Sequence, residues 1–206
     1  PMRALQIAEL GSIDNLYVGE APSPKLGEGQ VRVGVKAAGV NFPDILMSEG
    51  KYQVKPDLPF IPGLELAGEV LECADSVSHV KPGDRVMAFA RRGGAYAAEA
   101  VLPDGIVTPI PDDMDFITAA AFPVAYGTAH FALTHRGKLQ AGETLLVLGA
   151  TGGVGIAAIE IGKLLGARVI AAASSAEKLE IAKAHGADDV VNYRDESLRD
   201  AVKALT

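Results

Sequence analysis

Tryptophan is absent from the 206 residues, cysteine occurs once, and aromatic side chains make up only 5%. The single Cys73 excludes an intramolecular disulfide and a cysteine-based zinc cluster. With no disulfide framework, a reducing, cytoplasmic setting is expected. Long apolar runs are also missing. The hydrophobic fraction is 49%, yet no run approaches the roughly 18 residues that suggest a membrane span. Met2-Arg3-Ala4-Leu5 has no basic region leading an apolar stretch, so no secretory leader is expected. Basic residues are outnumbered, and the net charge is −7. That balance argues against nucleic acid and anionic membranes as partners, and leaves room for a local basic pocket.

What the chain does have is alanine, valine, isoleucine and leucine in short blocks, punctuated by glycine and proline. The block that organises the rest is Thr144-Leu145-Leu146-Val147-Leu148-Gly149-Ala150-Thr151-Gly152-Gly153-Val154-Gly155. A short apolar run ends in a glycine-rich turn, and a helical pattern follows. Such a run fits a strand buried on both faces, as in a parallel sheet. Glycines let backbone approach a pyrophosphate, and the helix start offers free N–H groups with a partial positive charge.

Upstream, the first hundred residues read as β-rich. Val31, Val33, Val35 and Ala37 alternate with Arg32, Gly34 and Lys36, the period of a half-buried strand. A Pro82-Gly83 turn precedes a strand expected over 86–89, and Tyr96 to Val101 is expected to resume as strand. Many short strands suggest a compact barrel or sandwich. An alanine-rich helical stretch is expected over 118–135, interrupted at Pro123. Beyond the glycine turn, Val154, Ala158, Ile161 and Leu165 mark a helix face. Strands over 168–173 and 189–193 then alternate with helices over 177–185 and 195–205. This βαβαβα run is one half of a doubly wound sheet, which normally has six strands. A chain truncated after about three strands is therefore expected, with domains at 1–122 and 123–206.

Five stretches together resemble one family. They are Ala37-Ala38-Gly39-Val40-Asn41-Phe42-Pro43-Asp44, Pro62-Gly63-Leu64-Glu65-Leu66-Ala67-Gly68-Glu69-Val70, Gly83-Asp84-Arg85-Val86, Pro123-Val124-Ala125-Tyr126-Gly127-Thr128-Ala129 and the glycine turn. In this order they resemble the medium-chain dehydrogenase/reductase superfamily, in its zinc-independent NADPH:quinone oxidoreductase (zeta-crystallin-like) branch. The resemblance implies an α/β protein with an N-terminal GroES-like β-rich barrel, followed by a Rossmann-type nucleotide-binding domain. It also implies a homodimer for the full-length protein. In the turn, Ala150, Thr151, Gly152, Gly153, Val154 and Gly155 take the place of Gly-x-Gly-x-x-Gly, with Ala150 for the first glycine.

An NAD site usually carries Asp or Glu at the end of the second strand, about 20 residues on, to bind the ribose 2′-hydroxyl. Here that place reads Ala172-Ala173-Ser174-Ser175-Ala176. A carboxylate about 4 Å from a 2′-phosphate would cost on the order of 4 kcal/mol per unit charge at an effective dielectric near 20, so the missing acid favours NADPH. Ser174 and Ser175 can donate to phosphate oxygens, and Lys178 adds a positive charge. A serine here can equally cap the next helix, and Lys178 can be an ordinary surface lysine. The resemblance implies that Ser174 and Lys178 meet the 2′-phosphate, with Tyr193 beside the adenosine.

Zinc-dependent members of the superfamily have Cys where Asn41 stands and His where Leu64 stands. Neither Asn nor Leu replaces a thiolate or an imidazole as a zinc ligand, so no metal is expected. Glu65 is expected to hold its loop by hydrogen bonds. Hydride transfer from a nicotinamide must then carry the reaction, and the protein's task is positioning and polarising. Asn41 can bond a substrate carbonyl or the cofactor ribose, and Thr128 can contact the nicotinamide. The Tyr52 phenol can donate a proton, or simply pack. Asp44 is expected to cap the helix through Ile45-Leu46-Met47 rather than do chemistry. The expected partner is a small-molecule electron acceptor, a quinone or similar conjugated carbonyl. Two alternatives remain open, an enoyl-CoA or other enoyl-thioester reductase and an NADPH-binding protein without turnover.

Overall fold

The computed structural model describes residues 1–206 apart from Val54 and Pro56. The chain divides into two units, Pro1–Val124 and Ala125–Thr206.

In the first unit, β1 (Met2–Ile7) and β2 (Leu16–Ala21) pair as an antiparallel ribbon. The alternating valines fall in the long strand β3 (Gln30–Gly39). The helix α1 (Phe42–Ser48) follows, then β4 (Glu65–Cys73), β5 (Arg85–Phe89), β6 (Glu99–Pro103) and β7 (Val107–Pro109). Strands β3 to β7 form an antiparallel sheet in the order β6-β3-β4-β5-β7. Val31 and Val33 from β3 pack with Leu66, Val70, Val86 and Leu102 in the main core of this unit. Each such side chain contributes about 1.5–3 kcal/mol when removed from water. The register of β3 against β4 shifts between Val35 and Ala37, an irregularity of the kind that bends a strand.

The strand expected from Tyr96 begins instead at Glu99. Residues 95–98 are shared among neighbours: Leu5 N–H donates to the Tyr96 carbonyl and Ala98 N–H to the Arg3 carbonyl, Ala95 and Tyr96 donate to Gly63 and Pro62, and Val35 N–H of β3 still donates to the Ala98 carbonyl. The helical stretch is also redrawn. It starts at Phe116, because the Asp115 carboxylate accepts the Thr118 N–H at 2.8 Å and caps α2 (Phe116–Ala120). It breaks at Ala121, just ahead of Pro123, whose nitrogen has no hydrogen to donate. It resumes as α3 (Phe122–His130) and continues as a π-helical segment, Phe131–Arg136.

In the second unit, β8 (Thr144–Leu148), β9 (Arg168–Ala173) and β10 (Asp189–Asn192) are parallel, in the order β10-β9-β8. Helices α4 (Gly153–Leu164), α5 (Ala176–Ala184) and α6 (Leu198–Leu205) follow them in turn. This is the 3-2-1 half of a doubly wound sheet. The helix expected from Asp195 starts at Leu198, because the Ser197 hydroxyl accepts the Asp200 N–H there. Val169 and Ala171 of β9 pack against Val147 and Ile159 on one side of the sheet, while Ile170 and Ala172 pack with Val191 on the other. Burial on both faces explains why β9 is an uninterrupted apolar block, whereas β8, expected to be buried on both faces, leaves Leu146 and Leu148 exposed.

Candidate functional site

Parallel strands put all three of their C-terminal ends at one edge, and in the second unit the expected cofactor residues collect there. After β8 the chain turns at Gly149, where φ is +59°. Ala150 is buried, and its N–H donates to the Ala172 carbonyl of β9 at 3.2 Å, which ties the turn to the sheet. Gly152 is the N-cap of α4 and has no side chain to satisfy the first N–H groups of that helix. Side chains do this for α2, α5 and α6.

The three glycines have different jobs. A Cβ on Gly155 would lie 2.5 Å from the Gly149 carbonyl oxygen and 2.8 Å from the Ala150 carbonyl carbon. Gly155 is therefore needed for packing of helix on turn. A Cβ on Gly152 or Gly153 would meet nothing nearer than 3.5 Å and 3.7 Å respectively. Packing does not demand glycine at either place. Open backbone next to uncapped amide donors is a cradle that suits a pyrophosphate, with about 0.3–1 kcal/mol from the helix end alone. The residues present fit a dinucleotide.

Ser174 and Ser175 follow β9, and Tyr193 follows β10. The Tyr193 N–H donates to the Ala173 carbonyl, which ties its backbone to the end of β9, and its side chain is 44% exposed. The Ser175 hydroxyl accepts the Lys178 N–H at 3.4 Å and caps α5, which realises the plain capping reading for that serine. Among the described residues the Ser174 hydroxyl and the exposed Lys178 ammonium have no protein partner. Thr151 is half-buried in the turn, and Val154 and Thr128 are exposed, on α4 and α3. Tyr126, two residues before Thr128, donates to the Glu160 carboxylate of α4 at 2.5 Å, and Glu160 also meets His185 at 2.7 Å. These contacts fasten α3 to α4 and hold Glu160 below the usual carboxylate range, through the Tyr126 hydroxyl first and His185 second.

A polar cluster lies in the first unit around the N-terminus of α1. Asn41, rather than Asp44, is the N-cap residue. Asp44 sits at the third helical position, and its Oδ2 accepts the Asn41 main-chain N–H at 2.8 Å. The Asn41 side-chain amide donates to Glu65 Oε1 at 2.7 Å, and the Val124 N–H donates to Glu65 Oε2 at 2.8 Å. Glu65 thus ties β4 to the starts of α1 and α3, and a Cβ on Gly39 would overlap its carboxylate. Sequence reasoning missed Tyr96. Its hydroxyl lies 2.8 Å from Asp44 Oδ2 and 3.1 Å from the Gly39 carbonyl oxygen. Asp44 and Glu65 are only 5% and 2% exposed, and Asp44 Oδ1 has no hydrogen-bond partner. Burial pushes Glu65 up from its ordinary value, against the pull of its two donors, and the nearby Asp44 pushes the same way. Burial and then Asp44 push the Tyr96 phenol up as well.

Tyr52 packs half-buried against the apolar cluster of Ile7, Met47, Phe60 and Leu64, and among the described residues its hydroxyl has no partner. Leu64 is part of that core, so apolar packing takes the place where a zinc-ligating histidine would stand. Among the described residues no three His, Cys, Asp or Glu side chains are grouped to hold a metal ion. Val40 and Phe42 flank Asn41 and are 81% and 70% exposed, so the polar cluster meets the surface inside an apolar rim.

A glycine-turn βα unit at the head of a parallel sheet, preceded by an antiparallel domain with a buried polar cluster, defines the class of two-domain dinucleotide-binding proteins. Comparisons narrow the class. The alcohol dehydrogenase GroES-like domain family matches residues 27–112, and the zinc-binding dehydrogenase family matches residues 153–206. Quinone oxidoreductase-like protein 2 homolog of Nematostella vectensis is 44% identical over 99% of this chain, which spans 56% of that relative. The solved quinone oxidoreductase of Pseudomonas syringae is 33% identical, with a TM-score of 0.93 over 100% of this chain and 63% of its own. Mycobacterial Rv1454c, solved in complex with NADPH, is 33% identical with a TM-score of 0.88, over 98% of this chain and 62% of its own. The chain thus spans less than two thirds of these relatives. It belongs to the medium-chain dehydrogenase/reductase superfamily, in the quinone oxidoreductase-like branch.

Proposed function

We propose that the protein carrying this chain is an NADPH-dependent oxidoreductase that reduces a quinone or similar conjugated carbonyl without zinc. The observation that carries the reading is the edge of the parallel sheet. An uncapped helix start and open glycine backbone lie beside Ser174 and Lys178, where an NAD site would have an acid. The names of the relatives support the acceptor class.

When bound, the dihydronicotinamide supplies the hydride. In this reading the turn over 149–155 binds the pyrophosphate, with Gly155 fixing the helix against it. Ser174 and Lys178 take the 2′-phosphate through hydrogen bonds and charge, and Tyr193 covers the adenosine. Thr128 lies against the nicotinamide. Asn41 orients the acceptor or the ribose, itself held from both sides by Asp44 and Glu65. The exposed apolar pair Val40 and Phe42 suits a flat, poorly hydrated acceptor better than a charged one.

A second reading, reduction of an enoyl thioester, is favoured by one observation. Among the described residues the Tyr52 hydroxyl has no partner, which leaves it available as a proton donor. A homodimer is proposed for the full-length protein. The test is a steady-state comparison of the full-length protein with a benzoquinone and with crotonyl-CoA. Faster NADPH oxidation with the quinone is expected. Preference for crotonyl-CoA supports the second reading, and binding of NADPH without turnover of either would reduce the protein to a nucleotide binder.

A further inference from the structure

In the second unit, α3 packs on α4 through a seam of small side chains. Ala129 meets Ala157 and Ile161 there, with Ala158, Leu133 and Leu165 at the margin. Alanine on alanine offers few protruding groups to interlock, so packing alone specifies the rotation and register of α3 loosely. Yet α3 stands beside the glycine turn. A Cβ on Gly153 would meet the Ala125 Cβ at 3.7 Å. A slide or roll of α3 is therefore felt at the turn.

A polar contact supplies the register that the seam lacks. Tyr126 donates to Glu160 Oε2 at 2.5 Å, and His185 Nδ1 meets Glu160 Oε1 at 2.7 Å. Such bonds are directional, and a charged acceptor makes them strong. Glutamate is a flexible side chain, and a carboxylate held at one oxygen would still swing. With one oxygen on Tyr126 and the other on His185, the Glu160 head is fixed. Both donors hold it below the usual carboxylate range, Tyr126 first. His185 is the C-cap residue of α5. One carboxylate thus ties three helices, and each carries part of the expected cofactor site. Thr128 is on α3, the glycine turn leads into α4, and Lys178 is in the first turn of α5. Thr128 follows Tyr126 by two residues, about 200° around a helix of 3.6 residues per turn. With Tyr126 pinned toward α4, Thr128 is turned to the opposite, exposed side of α3.

We propose that Tyr126, Glu160 and His185 form a positioning unit that sets α3 against the glycine turn, and so fixes Thr128 for the nicotinamide half of the cofactor. The inference rests on the NADPH reading above. Tyr126 acts through Thr128, Glu160 through Tyr126, and His185 through Glu160. Loss of the Tyr126 hydroxyl frees α3 to turn on its alanine seam. The cost falls on the nicotinamide end, while the adenosine end, built on β9 and the start of α5, stays in place.

The test is calorimetric titration of the full-length protein with two ligands. One is NADPH. The other is adenosine 2′,5′-bisphosphate, which has the adenosine and the 2′-phosphate but no nicotinamide. Tyr126→Phe removes one hydroxyl and keeps the ring. It is expected to weaken NADPH binding about fivefold or more, the scale for a residue that acts on a site without touching the ligand, and to leave the bisphosphate within about twofold. Glu160→Gln is expected to show the same split. The double variant should lose no more than the weaker-binding single variant, because both changes break one contact. His185→Leu should show the split as well, and His185→Asn, which keeps a donor near the Nδ1 position, should restore wild-type affinity. If Tyr126→Phe does not fold, the His185 pair carries the same test. Equal losses for both ligands, or a lowered Tm with both affinities unchanged, would overturn the positioning role. A wild-type protein that does not bind NADPH defeats the cofactor reading and this proposal together, whereas one that binds it leaves only the positioning role at stake.

Discussion

Replacing Gly155 and Gly153 by alanine, one at a time, should separate two kinds of glycine in the same turn. At Gly155 the new methyl would lie 2.5 Å from the Gly149 carbonyl oxygen and 2.8 Å from the Ala150 carbonyl carbon. Both are backbone atoms, and Ala150 is held to β9 by its own hydrogen bond. The turn or the helix must therefore move. Overpacking of this kind costs about 1–3 kcal/mol. The greater helix propensity of alanine returns up to about 1 kcal/mol. The net expectation is a loss of about 1–2 kcal/mol, or roughly 2–8 °C in Tm for a chain of this size. At Gly153 the methyl would meet only the Ala125 Cβ, at 3.7 Å, an ordinary contact. Stability should stay level or rise by up to about 1 kcal/mol. If the turn holds the pyrophosphate as proposed, NADPH affinity should nevertheless fall about tenfold or more, at about 1.4 kcal/mol for each factor of ten. Thermal unfolding and calorimetric titration with NADPH read the two effects separately. If Gly153→Ala unfolds as early as Gly155→Ala, or binds NADPH as tightly as wild type, the division of labour is refuted.

Three further outcomes are expected. Lys178→Glu should raise KM for NADPH far more than for NADH, and equal losses would remove Lys178 from the 2′-phosphate site. Asp188 is held below the usual carboxylate range by Lys163 first and by the Val169 N–H next. Its contribution to stability is present above the unfolded value near 4 and is lost as pH falls through the folded value, so Asp188→Asn should flatten the acid limb of Tm against pH. Glu65 is raised, so the sign reverses. Its contribution is full below the unfolded value and declines as pH rises through the folded value. Glu65→Gln should accordingly lose less stability than wild type between pH 5 and 8, and a parallel decline in both proteins would show that Glu65 titrates as an ordinary carboxylate.

The parts of this fold that were legible in sequence are those with a local cause. The apolar blocks over 144–148 and 168–173 are both strands, the second buried on both faces of the parallel sheet and the first with Leu146 and Leu148 exposed, and the glycine turn announces itself by composition. Helix starts at Phe116 and Leu198 were also within reach, since Asp115 and Ser197 are ordinary capping residues. β4 was not legible as a strand by alternation, because its first four residues are all buried, Glu65 among them. Residues 95–98 look like the start of β6, and only their pairing with β1 shows otherwise. Tyr96 meets Asp44 from 52 positions away, and no spacing rule connects the two. Asp44, expected as the cap of α1, stands at its third position and Asn41 is the N-cap, because both residue types cap helices and only geometry tells the two positions apart.

If Ser174 and Lys178 take the 2′-phosphate as proposed, the edge of the parallel sheet favours NADPH over NADH. The most direct measurement is calorimetric titration of the full-length protein with NADPH and with NADH under the same salt conditions. NADPH should bind at least about tenfold more tightly, a difference near 1.4 kcal/mol, and Lys178→Glu should erase that preference. Equal affinities in wild type, or tighter binding of NADH, would contradict the account.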